Sequence, residues 1–230
     1  MPPSEFNANG VDRRPFALYT NGMASPGELV GVMADTLGVP SATVAQYDRV
    51  LAENGLRSSG GRGLSAAKVT AADAANLLIA IMGSPISGAA IKEAARTCTL
   101  YGTLPWIGTF GLRKKLRLLG FPRLSTLSAE HSLHDALVVL IEDAVPDVSG
   151  HYSLAYRNVR IQLNSPTPWA GIYIDRGLAT EPEERAMIVY HSQLRTRSPR
   201  MAASIQKDLR QTRRVTFDTV KQLTAIVRSG

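Results

Sequence analysis

The sequence predicts an α+β protein, with a helical N-terminal part followed by a smaller part that carries a short antiparallel sheet. Three observations lead there. Apolar residues recur at three- and four-residue spacing from Leu29 to Leu51, the period of amphipathic helices. The composition then shifts at "HYSLAYRNVRIQLN" to β-branched and aromatic residues with partial alternation, the pattern of a strand. Two further stretches of that kind, "PWAGIYID" and "RAMIVYHS", complete a small sheet. The expected division is a flexible lead-in over 1–24, a helical domain over 25–110 and an α+β domain over 111–230.

The first helix is expected in "SPGELVGVMADTLG". Ser25 suits the N-cap, Pro26 the first helical position and Glu28 the positive end of the helix. Leu29, Val32, Met33 and Leu37 form its apolar stripe, and Gly38 ends it. A second helix follows in "VPSATVAQYDRVLAENGL", with Ser41 as cap, Val44, Tyr47, Val50 and Leu51 inward, and Gly55 at its close. The outward positions are Ala42, Thr43, Ala45 and Gln46, with Arg49 one turn on. Small and polar side chains of this kind let a helix enter a major groove and reach base edges.

Next comes "SSGGRGLSAAKVT", which holds three glycines within four positions and no carboxylate. It reads as two short strands joined by "SGGRG", with Arg57, Arg62 and Lys68 as its charges, rather than as a slack linker. Thr70 and Asp73 then open a buried, alanine-rich helix. Helix, turn, helix, glycine-rich basic hairpin, helix is the order of a winged helix-turn-helix module. Residues 25–83 resemble that DNA-binding superfamily, and loosely the MerR-type arrangement. They depart from MerR-type proteins in the longer stretch after Tyr47 and in having no long dimerising coiled coil further on. The resemblance implies base readout from the second helix and phosphate contact from the wing.

"SPISGAAIKEAARTCTLYG" is expected to add another helix, with Cys98 as a core side chain, and "GTLPWIGTFG" a hinge. Arg113, Lys114, Lys115, Arg117 and Arg123 have no acidic neighbour in sequence; a solvated helix face and a phosphate-contacting patch both fit them. A helix is expected from Ser128 to Ala144, and two more in the last thirty-odd residues, separated near "TRRVT". Trp106 and Trp169 are assigned to packing, whereas Tyr152, Tyr156, Arg157 and Arg160 are the weak trace of a stacking platform for single-stranded nucleic acid.

Charge points to polyanionic partners. The net charge is +7, and from His191 to the end nine basic side chains stand against two acidic ones, an excess equal to that of the whole chain. Arg210, Arg213 and Arg214 in this tail are expected to add phosphate contacts. The chain contains no phosphate-binding GxxxxGK[ST] loop, GxGxxG fingerprint after a strand, GxSxG elbow or HExxH pair, so no catalysis is expected. Neither a cofactor nor a metal is expected; His131 and Asp135 share a helix face, but as surface charge. A single cysteine and no long apolar run fit a reducing, cytoplasmic setting without a membrane span.

The expected function is thus sequence-specific binding of double-stranded DNA by a transcription regulator acting as a homodimer or higher oligomer. Its DNA-contacting residues on the second helix are Ser41, Thr43, Gln46 and Arg49, and its wing charges are Arg57, Arg62 and Lys68. Two other readings stay open: a DNA-recognition subunit of a phage-type packaging machine, since the mixture is similar to prophage-borne proteins generally, and an accessory factor of a nucleic-acid enzyme.

Overall fold

Helices α1 (Pro26–Leu37) and α2 (Ser41–Glu53) are joined by the three-residue turn Gly38–Val39–Pro40. The computed structural model describes residues 24–58, 68–84, 88–111, 121–145, 159–165, 167–175, 185–192 and 211–229. The expected start of α1 is borne out in full. The Ser25 hydroxyl accepts from the Glu28 N–H at 3.3 Å, and the Glu28 carboxylate accepts from the Ser25 N–H at 2.6 Å. Gly38, at φ 64°, takes the left-handed conformation that closes the helix, and the Val39 N–H returns to the Ala34 carbonyl at 3.1 Å.

Helix α3 (Ala71–Gly83) is apolar on nearly every side and lies at the centre. A 3₁₀ turn (Gly88–Glu93) leads into α4 (Ala94–Gly102), which crosses α3 so closely that a β-carbon on Gly83 would stand 2.7 Å from Thr97 Cγ2. Only glycine fits there. The expected hinge is strand β1 (Trp106–Gly111), followed by the short α5 (Pro122–Thr126) and by α6 (Leu133–Asp143). Helix α6 starts later than expected because Leu133 N–H donates to the Leu104 carbonyl and Trp106 N–H to that of His131. Those bonds hold the preceding residues extended, so Ser132, not Ser128, caps α6, with Asp135 completing the capping box.

The three expected strands are present as β2 (Val159–Ser165), β3 (Trp169–Asp175) and β4 (Arg185–His191). The sheet is larger than that, with five antiparallel strands in the order β1-β4-β3-β2-β5. Its second edge, β5 (Gln211–Thr216), occupies the stretch expected to separate two helices, and α7 (Phe217–Arg228) follows directly. The α+β class and the antiparallel sheet are therefore as expected.

Alternation decides which face of the sheet is buried. Val159, Ile161 and Leu163 of β2 point inward with Ala170, Ile172 and Ile174 of β3 and Ala186, Ile188 and Tyr190 of β4. Helices α3 and α7 pack over this side near β2 and β5. Helix α1 packs on α7, and the Thr224 hydroxyl ties α7 to α6 by donating to the Ile141 carbonyl at 2.6 Å. One buried core runs from Ala24 to Ile226, and among the described residues no break in it marks the expected division at 110–111. No helix among the described residues is long and apolar enough to cross a membrane.

Candidate nucleic-acid interface

Helix α2 buries Val44, Tyr47 and Leu51 and turns Ser41, Ala42, Ala45, Gln46 and Arg49 outward. Thr43 is half-exposed. Ser41 is the first helical residue rather than the cap: Pro40 holds the cap position and no side chain accepts a bond there. The Ser41 hydroxyl is thereby left on the surface. Two alanines beside one glutamine and one arginine make a face with little bulk, two long polar side chains and a single positive charge.

The segment after α2 is tied down at both ends. One oxygen of Asp73 accepts from the Ser58 N–H at 2.6 Å, while the other accepts from the Thr70 N–H at 2.9 Å and the Thr70 hydroxyl at 2.8 Å. A single carboxylate therefore caps α3 and joins the two ends of the glycine-rich stretch. The Asn76 side chain donates to the Leu56 carbonyl at 2.8 Å, and the Val69 N–H to that of Ala24 at 3.2 Å. Residues 56–58 and 68–70 carry these bonds without being strand, and 59–67, with Arg62, lie outside the described residues. Lys68 is exposed.

Arg57 has a different task from the one expected. Its Nε stands 3.0 Å from Asp48 Oδ1, with only 20% of the Arg57 side chain and 12% of the Asp48 side chain exposed. The nitrogen and oxygen are close but poorly aligned, so the contact is an ion pair rather than a well-formed hydrogen bond. Burial pushes the Asp48 carboxyl above its ordinary value, Arg57 pulls it back, and the nearby Asp73 charge adds to the rise. Arg57 thus serves to pin the base of the segment to α2.

The basic tail divides in the same way. Arg213 on β5 lies opposite the inward-facing Leu163, and its guanidinium donates to the carbonyl of Ile81 in the last turn of α3. A cation there meets the negative end of the helix, so Arg213 is spent inside the fold. Arg214 points outward and donates to the Gln162 side chain at 3.3 Å. Arg210 lies outside the described residues, as do Arg113, Lys114, Lys115 and Arg117. Arg123, which has no acidic neighbour in sequence, meets Glu142 at 2.7 Å and Asp143 at 3.0 Å across the fold.

The outward face of the sheet brings Arg160, part of the stacking platform traced in the sequence, together with Trp169, expected only in packing, and with Tyr173 and Phe110, which the sequence did not single out. Tyr152, Tyr156 and Arg157 lie outside the described residues. The rings of Trp169 and Tyr173 close over Gly171, where a β-carbon would stand 3.0 Å from each. Arg160 lies directly opposite Tyr173, 5.6 Å from the ring centroid, and Phe110 is exposed at the far edge. The period-two alternation of β3 was the available signal, since it places Trp169, Gly171 and Tyr173 on one side.

Elsewhere the polar groups serve the fold. His131 is buried, its ring 3.0 Å from the Tyr190 hydroxyl and stacked on Trp106 at 5.6 Å between centroids. Cys98 lies in the core against Asn76, and burial raises its thiol to about 12, far from thiolate reactivity at neutral pH. Among the described residues no three histidine, cysteine or carboxylate side chains gather as a metal site. Compared with known proteins, the chain matches no family model, no curated protein and no solved structure.

Proposed function

We propose that this chain is a sequence-specific DNA-binding protein, a transcription regulator that reads duplex DNA with α2. The observation that carries the reading is the pairing of two surfaces. The outward side of α2 is small, polar and free of carboxylates from Ser41 to Arg49, and the basic, glycine-rich segment that follows is anchored to the same body through Asp48 and Asp73. Gln46 and Arg49 are the side chains with the reach and the donors for base edges. Arg62 and Lys68 supply phosphate contacts that set register without reading sequence. Thirteen residues of helix span about 20 Å, enough to cross a major groove.

In this account Ser41 and Thr43, at the start of α2, meet the DNA backbone, and Arg57 is a positioning residue. Action as a homodimer or higher homo-oligomer on the nucleoid belongs to the same proposal, because two-fold sites are the usual target of such readers. Genome-wide mapping of bound DNA tests it. A few sharp sites upstream of genes are expected; even coverage, or none, contradicts sequence-specific regulation.

A further inference from the structure

We infer that the outward face of the sheet is a binding surface for single-stranded nucleic acid, separate from α2. The strand registers lay its side chains in rows across the sheet. Arg160, Tyr173, Met187 and Phe110 form one row, and Arg214, Gln162, Gly171, Val189 and Gly108 the next. Asn164 and Trp169 begin a third. With strands about 4.8 Å apart, the first row spans roughly 14 Å from Arg160 to Phe110.

Three features give this face its ligand. Aromatic rings are presented on a flat support: Trp169 and Tyr173 lie over Gly171, and the Phe110 ring comes within 3.7 Å of where a β-carbon on Gly108 would be. Phe110 is 57% exposed, although exposing a phenyl ring to water costs free energy. Cations stand beside the rings, with Arg160 against Tyr173 and Arg214 one strand further out. The amides of Gln162 and Asn164 lie beside them, tied to Arg214 and Thr212, and add hydrogen-bonding groups for base edges.

Rings, guanidinium groups and amides on one open sheet face suit unstacked bases with a phosphate backbone alongside. A duplex hides its base faces in the stack and offers nothing for the rings to meet. The cation and amides ranged along β2 beside the rings, rather than apolar area alone, select a polyanion with unstacked bases over a protein partner. The platform has room for about two or three bases.

The test is titration of the full chain with a fluorescein-labelled oligodeoxythymidylate about fifteen nucleotides long, which does not pair with itself. The parent is expected to bind with quenching of its tryptophan fluorescence. Phe110→Ala is expected to weaken binding about tenfold through the lost stacking contact. Arg160→Gln is expected to weaken it and lower the salt slope by about 0.7. Both side chains are exposed, so both variants keep the fold, and a thermal melt verifies this. Duplex binding, measured on the same samples, is expected to be unchanged, which separates this face from the reading of α2. Absence of oligodeoxythymidylate binding by the parent, or equal affinity in parent and variants, overturns the inference. Loss of self-association in Phe110→Ala without a change in oligonucleotide affinity also overturns it, in favour of an interface between copies.

Discussion

Asp73, three residues into α3, accepts a 2.6 Å hydrogen bond from the backbone N–H of Ser58, which lies fifteen positions earlier in the chain. The same carboxylate caps the helix through Thr70. A residue that capping chemistry alone explains thus also closes the segment on which the proposed function depends. Asp73→Ala keeps the Thr70 N-cap but removes the carboxylate half of the capping box, leaving the Ser58 and Thr70 N–H groups without their acceptor. A loss of about 2 kcal/mol is expected in denaturant unfolding. Hydrogen exchange at the Ser58 amide is expected to quicken by more than global stability accounts for. If exchange follows only the global loss, Asp73 is a cap and nothing more.

The pair of Arg57 and Asp48 predicts a pH dependence with a definite sign. Asp48 is held above its unfolded value of 3.8 mainly by burial, against the pull of Arg57. Arg57→Ala raises it further. A carboxyl whose folded value is raised contributes its full stability when protonated in both states, and that contribution is lost as pH rises through the folded value. The variant is therefore expected to lose about 2–3 kcal/mol at neutral pH, where an unpaired charge is left buried. The gap between variant and parent narrows on acidification toward about pH 4. A loss that stays constant with pH would mean that Arg57 acts by packing alone.

Much of the helical part was legible in the sequence because its signals are local. Ser25 with Glu28, and Thr70 with Asp73, are capping boxes written within four residues, and Gly38 occupies the one position in its turn that needs positive φ. The edge strands were not legible. "WIGTFG" carries two glycines and "QTRRVT" two adjacent arginines, compositions that weaken strand signals because edges are kept from pairing with other chains. Their place is set by β4 and β2, far away in sequence. The same non-local pairing decides the fate of the basic tail. Register opposite Leu163 turns Arg213 inward, and the next residue, Arg214, outward. Arg57 was misread for a related reason: its partner Asp48 lies on the preceding helix, outside the stretch whose charges were read as a wing.

The two neighbouring arginines of β5 should separate cleanly. Arg213→Gln is expected to cost about 1–3 kcal/mol of stability, since it removes a charged donor from the Ile81 carbonyl inside the fold. Its effect on the salt dependence of DNA binding should be nil. Arg214→Gln is expected to leave stability within about 0.5 kcal/mol and to make the salt slope shallower by about one. Thermal melts and binding titrations at several salt concentrations read both. Identical behaviour of the two variants would contradict the inward and outward assignment.

The reading of DNA by α2 is tested most directly at Gln46 and Arg49. Both are exposed and neither supports the core, so their replacement by alanine leaves the fold intact. Affinity is measured for each variant on a duplex recovered by the mapping experiment and on a random duplex of equal length. The account predicts a loss of about 1–3 kcal/mol on the recovered duplex for at least one of the two, with a far smaller loss on the random one. Equal losses on both duplexes, or no loss on either, would contradict base readout by this helix.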